Sequence, residues 1–243
     1  MTATAESATA DTTPHAKIDA AAGWICLIGI LLFGLGFWTF MDFLPPPSPV
    51  DSAEALSARY LDNAMGIRVG AVLSLLGAAL VLPLYAAISS AILQMSTRSY
   101  TLAFTQLICG LIALALPMIT IMLYATLVFR TGRGPEDILF FSDFAWLLIV
   151  AAAPPPTIQT LTIGWAVLSD RSEPRVFPRW LGFFCIWVGI LFTPGMFAIF
   201  FKTGPFAWDG VLAFWLPFAV FFAWLGVMAW QVIVLARKGS GGG

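Results

Sequence analysis

ILFFSDFAWLLIVAAAPPPTIQTLTIGWAVL, residues 138–168, decides how this chain is read. The stretch is apolar enough to lie in a bilayer, yet it carries an acid, Asp143, near its start and three consecutive prolines, Pro154 to Pro156, in its middle. As one helix its 31 residues would run about 46 Å at 1.5 Å each, too long to stand upright across roughly 30 Å of hydrocarbon. Proline has no backbone N–H and clashes with the preceding turn, but it is accommodated in a first helical turn. The stretch therefore predicts two helical segments, about 138–153 and 155–168, meeting at a bend. Thr157, Gln159, Thr160 and Thr162 follow at once and are placed to satisfy the carbonyls that the prolines free.

The rest of the chain has the same character. Mean hydropathy is +0.90, with 60% hydrophobic and only 10% charged residues, against roughly 25% charged in soluble domains. Six apolar runs, about 23–44, 67–93, 101–129, 138–168, 180–201 and 210–236, each approach or exceed the length of a spanning helix. None shows the alternation of a barrel strand, and in lipid every backbone group must be paired internally. The predicted fold is an all-α integral membrane protein, a six-transmembrane-helix bundle whose helix 4 is broken or kinked at Pro154–Pro156. It forms a single domain over 23–236, with a disordered cytoplasmic tail at 1–22, a short outer surface helix at 52–62 and a flexible tail at 237–243. Residues 1–22 have no basic n-region and do not read as a cleaved signal peptide. GSGGG at the C-terminus reads as a linker.

With the N-terminus inside, seven basic residues face inward (Lys17, Arg98, Arg171, Arg175, Arg179, Arg237, Lys238) and five outward (Arg59, Arg68, Arg130, Arg133, Lys202). The positive-inside rule then sets both termini on the cytoplasmic side of a bacterial inner membrane. Trp24, Trp165, Trp180 and Trp230 fall at the inner interface, and Trp38 and Trp208 at the outer one. The outer loop 45–66 leaves the first run through Pro45, Pro46, Pro47 and Pro49. Its short helix is capped by Asp51 with Glu54 or by Ser52, and sets Leu56 and Tyr60 on one side.

Two runs carry a readable face. Gly66, Gly70, Ser74 and Gly77 make a groove of small residues against which another helix presses. Gln106, Gly110, Ala113, Pro117, Thr120 and Tyr124 recur at helical spacing and form one polar or small face, turned inward and kinked at Pro117. Charges gather at the outer ends: Asp42, Arg68, Arg130, Asp143, Lys202 and Asp209. Asp143 alone lies within an apolar run, so it is expected to face the bundle and pair with Arg68 or Arg130. The functional reading is a polar, outward-facing pocket of Asp143, Arg68, Arg130, Asp42 and Asp209, continued by Gln106, Thr120, Tyr124 and Gln159. The plainer reading is that these residues snorkel, cap and pack.

FLPPPSP (43–49), VFPRW (176–180) and FKTGPFAWDG (201–210), on a six-helix frame, resemble a family of bacterial multi-pass membrane proteins. The resemblance spans most of 23–236 but brings no activity and no functional residue. The single histidine, His15, lies outside every run, so haem ligation, membrane di-iron sites and His-based zinc hydrolysis find no ligands there. No lysine within a run offers a Schiff base for a retinal. Cys26, Cys109 and Cys185 lie in three different runs and read as small packing residues. No cofactor is called for. Net charge of −1 argues against nucleic acid as partner; the partners expected are the lipid bilayer and a membrane protein or a second copy. Three function classes stand: small-molecule transport or binding, of a hydrophobic or proton-coupled kind; a non-catalytic subunit or scaffold; and, last, an intramembrane enzyme.

Overall fold

The computed structural model describes residues 12–130 and 132–240. Six helices are long and apolar enough to cross a membrane: Ala16–Phe40, Ala64–Gln94, Tyr100–Leu127, Pro135–Ser169, Arg179–Ile199 and Val211–Lys238. No strand occurs among the described residues. The chain is an all-α membrane-embedded bundle of six spans, and an even number of crossings returns both ends to one side.

Few of the spans are plain α-helices. The first is α1 (Thr12–Gly34) followed by a π-helical turn, Leu35–Phe40. After α2 (Ala53–Asp62), the second span is α3 (Ala64–Ala79) and α4 (Leu82–Gln94), interrupted at Leu80–Val81 just before Pro83. α5 (Tyr100–Leu127) contains Pro117. The fourth span is α6 (Pro135–Val150) and α7 (Pro154–Ser169), separated at 151–153. α8 (Arg179–Phe192) tightens into a 3₁₀ stretch, Thr193–Ile199, at Pro194. The last span opens with a π turn, Val211–Trp215, and continues past Pro217 as α9 (Leu216–Ser240). The predicted break in the fourth span is present. The second span, read from sequence as continuous over 67–93, is broken as well.

Two boundaries need correction. Residues 12–22, read as part of a disordered tail, are helical; residues 1–11 lie outside the described residues. At the other end α9 continues to Ser240, through residues read as flexible, and 241–243 lie outside the described residues. The reason is mutual support: α1 packs on α9 more extensively than any other pair of elements. A Cβ built on Gly23 would stand 2.6 Å from Ile233 Cγ1 and 2.8 Å from the Ala229 carbonyl oxygen.

α1 also presses on α3 through reciprocal glycines. A Cβ on Gly29 would lie 2.6 Å from the Gly77 carbonyl oxygen, and one on Gly77 would lie 2.6 Å from that of Gly29. One register on, Gly36 and Gly70 repeat the arrangement at 2.5 and 2.6 Å. Lipid offers no hydrophobic drive between helices, so close backbone approach supplies the association. The small-residue groove on the second run is the face that receives the first helix.

The side carrying the termini is tied by Asp170, which sequence reading passed over as a loop acid. It is 1% exposed. Its carboxylate accepts from the backbone N–H groups of Ser96 (3.0 Å), Ser172 (3.0 Å) and Val176 (3.2 Å) and from Ser172 Oγ (2.7 Å). Arg175 Nη1 donates to the Asp170 carbonyl at 2.6 Å. The loops after α4 and α7 are thereby joined through one side chain. Burial alone would raise the acid's pKa, but the hydrogen bonds to Ser96, Ser172 and Val176 outweigh it and hold the carboxyl at about 2.

Two predictions follow from this packing. Gly77→Leu should destabilise the protein by about 3 kcal/mol through overpacking against Gly29. Gly226→Ala, whose Cβ would meet nothing within 4 Å, should stabilise α9 by about 0.5–1 kcal/mol; thermal unfolding in detergent reads both. Because the Asp170 pKa is depressed on folding, its contribution of about 2 kcal/mol is complete above roughly pH 4 and disappears as pH falls through about 2. An unfolding series over that window should show the loss in wild type and none in Asp170→Asn, which starts lower.

Candidate functional site

The side opposite the termini is closed by aromatic side chains. α2 lays Leu56, Ser57 and Tyr60 onto the bundle, all buried. Ser52 is the helix cap, its Oγ accepting from Ala55 N–H at 3.3 Å, while Asp51 Oδ2 accepts from Ser48 N–H. Phe43, Tyr60, Tyr124 and Trp146 stack in mutual edge or tilted contact, with centroids 4.4–5.9 Å apart. Trp146 Nε1 donates to Tyr60 Oη at 3.2 Å, and Tyr60 Oη and Ser142 Oγ share a hydrogen bond of 2.9 Å. Trp208 donates to the Pro47 carbonyl at 2.9 Å and is buried beneath the proline exit. It is therefore a packing residue and not part of an interfacial belt. Trp24, Trp38, Trp165, Trp180 and Trp230 do face outward.

The nine residues nominated from sequence do not all meet in one place, although Gln106 and Gln159 both lie beside Tyr85. Arg68 caps α5, its Nη2 donating to the Val128 carbonyl at 2.6 Å. Neither it nor Arg130 pairs with Asp143; the cation whose charge acts on that half-buried acid is Lys202, beyond the fifth span. Arg68 is instead engaged at the end of α5. Asp42 is exposed at a positive φ of 56°, and its carbonyl accepts from Arg59 Nη2 at 2.8 Å. Asp209 is half-buried in the turn before the last span, and Arg130 is exposed.

The face on the third span does turn inward: Gln106, Gly110, Ala113, Thr120 and Tyr124 are all buried. Thr120 Oγ1 donates to the Ala145 carbonyl at 3.4 Å. Gln106 Nε2 bonds the Tyr85 carbonyl (2.8 Å) and Ser89 Oγ, and Ser89 Oγ donates to the Ala103 carbonyl at 2.8 Å, cross-linking α4 and α5. The threonines after the triple proline do not serve the carbonyls it frees at Val150–Ala152. Thr157 Oγ1 reaches across to the Gly189 carbonyl (3.3 Å), and Thr160 Oγ1 turns back to those of Pro156 (3.0 Å) and Thr157 (3.1 Å).

What the helices do bring together lies elsewhere. A cavity of about 130 Å³ sits mid-span, bounded by residues of all six spans, among them Ile30, Val81, Pro117, Pro156, Phe192 and Pro217. It is the seam between two packed cores. One gathers Tyr85, Ile88, Ile163, Leu181 and Trp224 on the termini side; the other gathers Phe37, Tyr60, Tyr124, Trp146 and Phe214 on the far side. Five of the six spans carry a proline at or within two residues of this lining: Pro83, Pro117, Pro156, Pro194 and Pro217. A proline offers no donor to the carbonyl four residues before it. Four residues whose carbonyls lose that partner, Ala113, Val150, Ala152 and Ala213, themselves line the cavity. Every side chain on its wall is apolar.

None of the nine nominated residues lines this cavity. Pro83, Pro194 and Pro217 are visible within their runs, but the sequence alone does not set them at one level with Pro117 and Pro156. A separate cleft of about 810 Å³ opens on the termini side, bordered by Asp19, Gln94, Arg175 and Lys238. Among the described residues no three His, Cys, Asp or Glu side chains gather where they could share a metal ion.

No family model, curated protein or solved structure matches the chain. The likeness carried by the three sequence motifs therefore adds nothing to the six-helix architecture.

The two neighbouring tyrosines of the aromatic layer give a direct check. Tyr60→Phe removes two hydrogen bonds and should cost about 1–2 kcal/mol. The buried Tyr124 hydroxyl lies beside that of Tyr60 without closing a well-formed hydrogen bond, so Tyr124→Phe should change thermal stability less than Tyr60→Phe.

Proposed function

We propose that this protein binds a small, predominantly apolar molecule that reaches it through the bilayer, and holds it in the mid-span cavity at the break of the fourth span. One observation carries the reading: the cavity is walled by apolar side chains from all six spans, at the level where proline interrupts five of them. An apolar space of this size stays dry and accepts a guest of about the size of benzene or xenon. Broken helices at mid-membrane are also how transporters form sites within lipid, so release toward either face makes the same site a carrier. The membrane is read as the bacterial plasma membrane with the termini cytoplasmic, supported by Arg171, Arg175, Arg179, Arg237 and Lys238 on one side.

A second reading, a non-catalytic subunit, is supported by the nominated polar residues that serve as caps and cross-links, such as Arg68, Gln106 and Thr120. A stoichiometric membrane-protein partner on gentle purification would favour it.

The test uses fluorobenzene and ¹⁹F NMR on the full chain in lipid nanodiscs. Wild type should show a bound resonance distinct from that of lipid-dissolved probe. Ala113→Leu, which places three more carbons in the cavity, should abolish that resonance without lowering thermal stability. A wild-type spectrum identical to that of empty nanodiscs would overturn the reading.

A further inference from the structure

One helical turn from the cavity toward the termini lies a set of buried polar atoms without hydrogen-bond partners. They are Tyr85 Oη and both Oε1 and Nε2 of Gln159, with Gln106 Oε1, also unpartnered, a further turn away, seven residues before Ala113 on α5. All three residues are fully buried. Their place below the cavity follows from the helices. Gln159 is three residues beyond Pro156 on α7, Tyr85 four beyond Val81 at the start of α4, and Gly110 three before Ala113 on α5, with Pro156, Val81 and Ala113 all in the cavity wall. A Cβ on Gly110 would collide with Gln159 Nε2 and lie 2.8 Å from Tyr85 Cδ2, so the carboxamide and the phenol ring meet over a glycine notch. The Gln159 carboxamide faces the Tyr85 hydroxyl but closes no hydrogen bond with it.

An unpaired amide and phenol in a lipid-embedded core are costly. Each forfeits hydrogen bonds made in water, and buried polar groups in native proteins are nearly always paired. Here three such atoms, Tyr85 Oη and both carboxamide atoms of Gln159, lie beside an apolar cavity. Gln159 sits closest along the chain to the cavity wall, and its carboxamide can turn toward it without breaking any hydrogen bond within the protein.

Resting on the cavity reading above, we propose that the cavity and this polar floor form one amphipathic site, and that its ligand is a compact apolar molecule bearing a single hydroxyl group. The apolar body fills the space between Pro117, Pro156 and Pro217. The hydroxyl reaches the floor, donating to Gln159 Oε1 and accepting from Nε2 or from the Tyr85 hydroxyl. Gln159 is thus the residue that selects a hydroxylated guest over a bare hydrocarbon of the same shape. No side chain of the apolar wall makes that distinction.

The experiment compares fluorobenzene with 4-fluorophenol by ¹⁹F NMR on the full chain in nanodiscs, each affinity referred to the probe's concentration in the lipid. Wild type should bind the phenol about tenfold more tightly, the worth of one well-made hydrogen bond. Gln159→Leu should bind both probes equally and unfold at no lower temperature, since the carboxamide it removes bonds to nothing in the protein. Should that variant fail to fold, Gln159→Met, closer in shape, reads the same comparison. Equal binding of the two probes by wild type would overturn the polar-floor assignment while leaving the cavity reading intact. A phenol preference that survives in the Gln159 variant would move the hydroxyl partner elsewhere and overturn it too. Absence of any bound resonance for either probe would remove the cavity reading, and this inference with it.

Discussion

A proline in a membrane helix leaves a carbonyl without its helical donor, and lipid supplies no water to replace it. One such defect is readily absorbed by a kink. Here the defect recurs at one level in five of six spans, at Pro83, Pro117, Pro154 to Pro156, Pro194 and Pro217. The first span, without a proline, widens into a π turn at Leu35 just beyond the same level. Helices that bend or break together cannot interdigitate at the bend. The apolar core is consequently in two pieces, and the cavity is what lies between them.

Each piece is secured by a different means. The far half is a block of stacked rings under a lid of α2 and the proline exit, fastened by Trp208 to Pro47 and by Arg59 Nη2 to the carbonyls of Asp42 and Pro45, both at 2.8 Å. The termini half relies on α1 against α9 and on Asp170 joining two loops. Across the seam the strongest continuity is the α1–α3 contact, where Gly29 with Gly77 and Gly36 with Gly70 bring two backbones together. The seam between the two ends lies at mid-membrane, where its apolar space is bounded by all six spans. That is where a guest entering from the bilayer would need it.

Much of this was legible in the residues. Hydropathy and run length locate the six spans, because burial in lipid demands long unbroken apolar segments. The spacing of Gln106, Gly110, Ala113, Thr120 and Tyr124 identifies the inward face of α5, and the glycines of α3 identify a contact surface. What was not legible depends on relative height and on partner choice. Each proline is visible, but that Pro83, Pro194 and Pro217 share a level with Pro117 and Pro156 appears only once the helices are stacked. Asp143 invited pairing with an arginine on its own side of the membrane, yet Arg68 is engaged at the end of α5. Gln159 seemed placed to satisfy proline-freed carbonyls and instead bonds to nothing. Asp170 carries no signal in the sequence because its partners are backbone amides, one of them in a loop 74 residues away.

The central claim is that aligned prolines keep the two cores apart around an apolar space. Crystals of the full chain pressurised with xenon test it most directly, since xenon enters dry apolar cavities and marks them by anomalous scattering. The account predicts a single strong internal site between Pro117, Pro156 and Pro217. Xenon found only on the lipid-facing surface, with side chains closed across that level, would contradict it.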